Sequence, residues 1–87
     1  EPYLNFHSSS IGIHPLTNMI YILSADDFLL LVFDRAGRIN RVIMLNRGLF
    51  NQPEGIAFRN NGDMIISNEG MKKGPGSLRL LTFHPGP

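Results

Sequence analysis

Short apolar runs separated by turn residues dominate the pattern along this chain. Each run has the length of a β-strand, and none continues with a helical period. Pro and Gly recur roughly every 8–12 residues, which is the spacing typical of all-β folds. The pattern predicts strands over residues 11–13, 19–23, 28–33, 39–45 and 78–83, and a β-hairpin over residues 52–70.

Two of these strands differ in how apolar they are. Residues 28–33 form a continuous apolar run, which predicts a central strand that is covered on both faces. Residues 39–45 alternate only in part, which predicts an outer strand. We also expect four large side chains to fill the core between sheets, namely Met44, Phe58, Met64 and Phe83.

The hairpin carries the most informative pattern. Asn61-Gly62 can adopt positive φ at both positions, so it predicts a two-residue type I′ turn. Counting outward from that turn gives these opposite pairs: Phe58 with Ile65, Ile56 with Ser67, and Glu54 with Glu69. Like charges directly opposite each other destabilise a sheet, so the two carboxylates need a cation, a basic partner or a shared proton. A register shift of one residue would move one Glu to the other face and remove the pairing.

The chain also repeats itself. Residues 11–24 resemble residues 56–68 with one inserted residue, and residues 30–33 resemble residues 80–83. A period of about 45 residues with about four strands is typical of β-propeller blades. The predicted fold is therefore all-β, with antiparallel propeller blades: one complete four-stranded blade and most of the next. The blade-like repeats cover about residues 8–45 and 53–84, within a single propeller domain spanning 1–87.

Two blades cannot close a propeller, because a ring needs further blades to cover the faces and edges that two blades leave open. We therefore expect this segment to be stable only within a larger propeller or as an assembly of several copies. The chain begins without Met, and we interpret it as a piece of a longer protein. The expected partners are the remaining blades or further copies of the chain.

Composition narrows the possible functions. The 87 residues carry a net charge of +1 with scattered basic side chains, so we expect no nucleic-acid partner. The absence of Cys excludes disulfides and thiolate metal sites. The run 28–33 is too short to span a bilayer.

Three motifs resemble the SdiA-regulated family: Gly-Ile-His-Pro at residues 12–15, Gln-Pro-Glu-Gly-Ile at 52–56 and Ser-Asn-Glu-Gly at 67–70. The resemblance covers about residues 8–83, although residues 9–12 depart from the Ser-Gly-Ile-Ala pattern common in the family. It implies a six-bladed-type β-propeller related to NHL and SMP-30-like propellers. It also implies an extracytoplasmic location, either periplasmic or membrane-anchored. Some related propellers bind divalent cations near the central channel.

The paired carboxylates are the candidate site. Glu54 opens one predicted inner strand and Glu69 follows the next, so both are expected at one mouth of the channel. Carboxylate and amide oxygens suit calcium, so Glu54, Glu69 and Asn68 are the candidate metal ligands. Asn51, Glu54 and Glu69 are the candidate ligand-binding residues. The structural alternative is that both Glu side chains accept backbone N–H bonds from neighbouring blade loops.

Three functions remain open at this point. The first is a propeller module that binds a small ligand or a protein at the channel mouth, with a divalent cation as candidate cofactor. The second is a metal-dependent hydrolase of the SMP-30 or phytase-like kind that uses Glu54 and Glu69. The third is a protein-interaction scaffold of the NHL type.

Other polar residues are expected to be structural. His14 precedes Pro15 in the first hairpin and is expected to be a surface turn residue. The serines at 8–10 are expected to act in a cap or turn, because the chain has no Gly-x-Ser-x-Gly elbow. Lys72 and Lys73 lie in a Gly-rich segment that lacks the ending of a phosphate-binding loop.

Overall fold

The computed structural model describes residues 8–50, 52–69 and 76–82. This part of the chain is all-β. It contains seven strands: β1 (Ser10–Ile13), β2 (Ile20–Ser24), β3 (Leu29–Phe33), β4 (Ile39–Met44), β5 (Pro53–Phe58), β6 (Met64–Asn68) and β7 (Ser77–Leu81). No helix in the described ranges is long and apolar enough to cross a membrane. Because the described residues form strands and no helix, the all-β prediction is confirmed.

The strands form two antiparallel sheets in chain order. The first sheet is β1-β2-β3-β4, and the second is β5-β6-β7. Neighbours in sequence are neighbours in space because tight turns join antiparallel strands. A four-stranded sheet followed by a three-stranded sheet is consistent with propeller blades.

The two sheets pack face to face around an apolar core. Six buried side chains form its centre: Leu23, Leu30, Leu45, Phe50, Met64 and Ile66. The residues Leu30, Leu31 and Val32 are all buried, which confirms that β3 is covered on both faces. Met64 is buried and Phe58 packs against the core, as predicted.

Two core assignments had different outcomes. Met44 is 81% exposed, so its assignment to the core is wrong. It lies on β4, the outermost strand of the first sheet, opposite Leu29 and on the face that is turned away from the second sheet. Phe83 lies outside the described residues. The prediction that residues 39–45 form an outer strand is confirmed, because β4 is exposed along most of its length.

The turn of the β5–β6 hairpin differs from the prediction. The backbone N–H of Arg59 donates to Asp63 O at 2.8 Å, and that of Gly62 donates to Arg59 O at 2.9 Å. Within this turn, Gly62 has a positive φ (96°) and Asn61 does not. The turn is therefore a type I turn that ends in a left-handed glycine, which adds one residue to the predicted loop.

That extra residue changes the register of the whole hairpin. Phe58 pairs with Met64 rather than Ile65, and Ile56 pairs with Ile66 rather than Ser67. The predicted pairs were wrong by one position. A shift of one places every side chain of a strand on the other face, so Met64 and Ile66 face the first sheet and Ile65 faces away.

Candidate functional site

A β-bulge determines the position of Glu54. The register between β5 and β6 shifts between Pro53 and Gly55: Pro53 pairs with Asn68, and Gly55 pairs with Ser67. Glu54 is therefore the extra residue, without a direct partner on β6. Beyond the bulge the pairing continues, because the backbone N–H of Glu69 donates to Gln52 O at 2.8 Å.

Glu54 and Glu69 interact, as the sequence predicted, but Glu54 lies in the bulge and is not directly opposite Glu69. Side-chain hydrogen bonding with Glu69 is the main cause that raises the pKa of Glu54 above its ordinary value of 4.5. Coulombic repulsion from Glu69 and a loss of hydration act in the same direction. The two carboxyl groups therefore interact closely enough to change the titration of Glu54, and this pair is the centre of the site.

The carboxyl pair lines a cleft of about 390 Å³ between the two sheets. The second sheet contributes Pro53 beside the two Glu residues, and the β2–β3 turn of the first sheet contributes Asp26 and Phe28. Both Glu residues are exposed, so their carboxyl groups are accessible from solvent. The cleft thus combines acidic groups from one sheet with an acidic and an aromatic residue from the other.

Phe28 gives this cleft an aromatic wall in an unusual backbone conformation. Its φ is 52°, which is uncommon for a large side chain, in a turn closed by the bond from its N–H to Ala25 O at 3.2 Å. The guanidinium carbon of Arg47 lies 4.2 Å from the centre of the Phe28 ring. The ring therefore already holds a cation of this chain against one side.

Asn68 is the third candidate ligand, and it is buried. The residue is 6% exposed and lies on the face of β6 that is turned toward the first sheet, opposite Pro53, but it is not among the described residues that line the cleft. Its Oδ1 and Nδ2 atoms make no hydrogen bond in the part of the chain that the structure describes. A buried amide without partners is costly, so this position is a natural one for a bound polar group. Asn51, the remaining candidate, lies outside the described residues.

The donor set fits a hard cation in type. Two carboxyl groups and one amide oxygen are the ligands that calcium prefers. Among the described residues, however, no cluster of three His, Cys, Asp or Glu side chains is arranged to hold a metal ion.

His14 was misassigned from the sequence. The residue is 1% exposed, not a surface turn residue. Its Nδ1 accepts hydrogen bonds from the backbone N–H groups of Leu16 and Thr17 at 3.2 and 3.3 Å, and its ring packs against Tyr21 and Phe58. These three aromatic side chains line a second cavity of about 370 Å³, at the end of the sheets where the β1–β2 and β5–β6 turns lie. No local signal reveals this burial, because Phe58 comes from the other sheet.

The fold and site define an all-β protein with two successive antiparallel sheets and an acidic cleft between them. Searches of the curated proteins and of the solved structures found no significant match. The sequence profile of the SdiA-regulated family matches residues 6–71 of the 87. The chain therefore belongs to the SdiA-regulated family, as the motifs predicted.

Proposed function

We propose that this chain is a ligand-binding part of a β-propeller and that the acidic cleft takes a cation between Glu54 and Glu69. The observation that supports this most directly is that Glu54, at the bulge, and Glu69 line the same cleft. Without a cation, the repulsion between the two groups is relieved only in acid, where a proton binds. A cation of higher charge relieves it more fully, because both carboxylates can then be ionised.

Calcium is the first candidate for that cation. Glu54 and Glu69 would hold it, and the unpartnered Oδ1 of Asn68 and the side chain of Asn51 are the proposed additional oxygen ligands. A bound calcium ion would supply positive charge at the mouth of the cleft, where an anionic or hydroxyl-bearing ligand can complete its coordination.

A guanidinium or ammonium group of a ligand or protein partner is the second candidate. It is favoured by the Phe28 ring, which lines the cleft and already packs against the Arg47 guanidinium. A ring beside carboxylates is a common environment for organic cations. No contact among the described residues specifically favours the hydrolase or the NHL-type scaffold.

Calorimetric titration of the protein with calcium chloride tests the first candidate, and titration with argininamide tests the second. We expect saturable heat for the wild type and its loss in both Glu54→Gln and Glu69→Gln. Asp34→Asn is the matched control, because Asp34 lies in the β3–β4 turn and outside the cleft. No heat with either cation would show that the proposal is wrong.

A further inference from the structure

Both sheets carry apolar side chains on both faces, and the two sheets contact each other with one face of each. The faces that pack together carry Leu23 and Leu30 on the first sheet and Met64 and Ile66 on the second. The opposite faces are exposed mainly along their edge strands, because Leu31, at the centre of the outer face of the first sheet, is only 2% exposed. The outer face of the first sheet includes Ile11, Ile13, Val42 and Met44, and the outer face of the second includes Ala57, Leu78 and Leu80.

The strand registers show how these faces correspond between the two sheets. Ile13 ends β1 opposite Ile20, and Phe58 ends β5 opposite Met64, so Ile13 and Phe58 are equivalent positions. Continuing inward along each hairpin makes Ile22 equivalent to Ile66. The outer face of the first sheet is therefore the counterpart of the inner face of the second.

The converse equivalence holds as well. Gly12, which lies on the inner face of the first sheet, is equivalent to Ala57 on the outer face of the second. Leu23 and Leu30 are likewise equivalent to Ser67 and Leu78. The contact between the two sheets thus joins two faces that are not equivalent. The outer face of the first sheet corresponds to one of them, and the outer face of the second sheet corresponds to the other. A contact of this type is heterologous, so it can be repeated from copy to copy.

We propose that the outer face of the first sheet binds the outer face of the second sheet in another copy of this chain. The new contact would repeat, between copies, the packing that already exists between the two sheets within one copy. Each added copy again exposes one face of each kind. Association therefore continues until the copies close a ring or form an open stack.

The side chains at one equivalent pair support this packing. Within one copy, a Cβ atom added at Gly12 would lie 3.2 Å from Cε2 of Phe58, so glycine lets that ring lie close to β1 without a shift. Between copies, Ala57 takes the place of Gly12 and Ile13 takes the place of Phe58. Ala57 is larger than Gly12 by a methyl group, and Ile13 is smaller than Phe58, so the total side-chain volume at the contact is approximately preserved.

Sedimentation velocity on the full chain tests this arrangement. We expect the wild type to sediment as species larger than a monomer. Ile13→Glu and Leu80→Glu should each be monomeric, because each places a charge on one of the two outer faces. Both positions are more than half exposed within one copy, so neither substitution buries a charge there. Circular dichroism should show that both variants keep their β-structure. Val42→Glu and Leu78→Glu repeat the test on the same two faces.

A mixture of the two variants gives the decisive result. Ile13→Glu keeps an intact outer face on its second sheet, and Leu80→Glu keeps one on its first sheet. The mixture should therefore form a dimer with one copy of each variant, which neither variant forms alone. Leu16→Glu is the control, since Leu16 is exposed in the β1–β2 turn, and it should assemble as the wild type does. A monomeric wild type, or a mixture that stays monomeric, would overturn the proposal.

Discussion

The side-chain hydroxyl of Ser10 accepts a hydrogen bond from the backbone N–H of Ile56 at 3.2 Å. These residues lie on the first strands of the two sheets, 46 positions apart in the chain. An edge strand leaves backbone N–H groups without partners from its own sheet, and here a side chain of the other sheet provides one. The bond therefore fixes where β5 lies along β1, next to the contact between Gly12 and Phe58.

Ser10→Ala is predicted to weaken the docking of the two sheets. The substitution leaves the partly buried N–H of Ile56 without its acceptor, which costs about 1–3 kcal/mol of the free energy of unfolding. Urea denaturation followed by circular dichroism measures the loss. Ser8→Ala is the control and should change stability by less than about 0.5 kcal/mol, because Ser8 is exposed. Equal stabilities of the two variants would show that the bond contributes nothing.

His14 is predicted to stabilise the fold in two separable ways. Its ring fills space beside Tyr21 and Phe58, and its Nδ1 holds the following turn. His14→Ala should lower the free energy of unfolding by about 2–4 kcal/mol, because it leaves a cavity. His14→Phe keeps a ring and His14→Asn keeps an acceptor, so each should lose less than the Ala variant in the same urea titration. If all three variants matched the wild type, His14 would be the surface residue that the sequence suggested.

Two residues of the β5–β6 turn, Asn61 and Gly62, are each predicted to stabilise the fold, for different reasons. Gly62 has a φ of 96°, so Gly62→Ala should cost about 1–2 kcal/mol. Asn61 hydrogen-bonds to Asp63 through both side-chain atoms, and Asn61→Gly should cost about 1 kcal/mol by removing these bonds and adding chain entropy. Chemical denaturation measures both. A type I′ turn would instead tolerate Asn61→Gly, so a neutral effect there would contradict the observed turn.

The strands and their order could be predicted from the sequence because each depends on nearby residues. The apolar run of β3 and the turn residues on either side of each hairpin locate the strands within one or two residues. The register of the β5–β6 hairpin could not be predicted, because Asn61-Gly62 suits both a type I′ turn and a type I turn that ends in glycine. The burial of His14 depends on the ring of Phe58, 44 positions along the chain, and no local pattern encodes such a contact.

The carboxyl pair was predicted from a register that is wrong. The longer turn shifts the strands by one residue, which alone would have separated Glu54 from Glu69. The bulge at Pro53–Gly55 adds Glu54 as an extra residue on β5, and although Glu69 lies opposite Gln52, both carboxyl groups line the same cleft. Gly55 permits this local geometry, because a Cβ atom there would lie 2.9 Å from the Ser67 hydroxyl oxygen. A bulge of this kind has no clear sequence pattern, although a glycine within a strand is one indication of it.

Glu69→Gln is predicted to stabilise the protein at neutral pH. The pKa of Glu54 is raised above 4.5 in the folded state, so the folded protein binds more protons than the unfolded chain just above that pH. Stability in the wild type therefore falls as pH rises through this window. The substitution removes the repulsion, so the variant should have the higher Tm at neutral pH, with the difference disappearing in acid. A lower Tm at neutral pH would show that the ionised pair is compensated by a group outside the described residues.

Asp34→Asn is predicted to show the opposite pH dependence. The Asp34 carboxylate accepts bonds from the backbone N–H groups of Arg38 and Ala36, each at 2.9 Å, and from Arg38 Nε at 3.2 Å. The backbone bond from Arg38, together with that from Ala36 and the charge of Arg38, lowers the pKa of Asp34 below 3.8. The resulting stabilisation is present above 3.8 and is lost as the pH falls through the lower, folded-state pKa. Asn retains an acceptor oxygen for the turn but carries no charge, so the variant should have a lower Tm at neutral pH and approach the wild type in acid. Thermal unfolding of this variant and of Glu69→Gln over the same pH series measures the two opposite changes in Tm together.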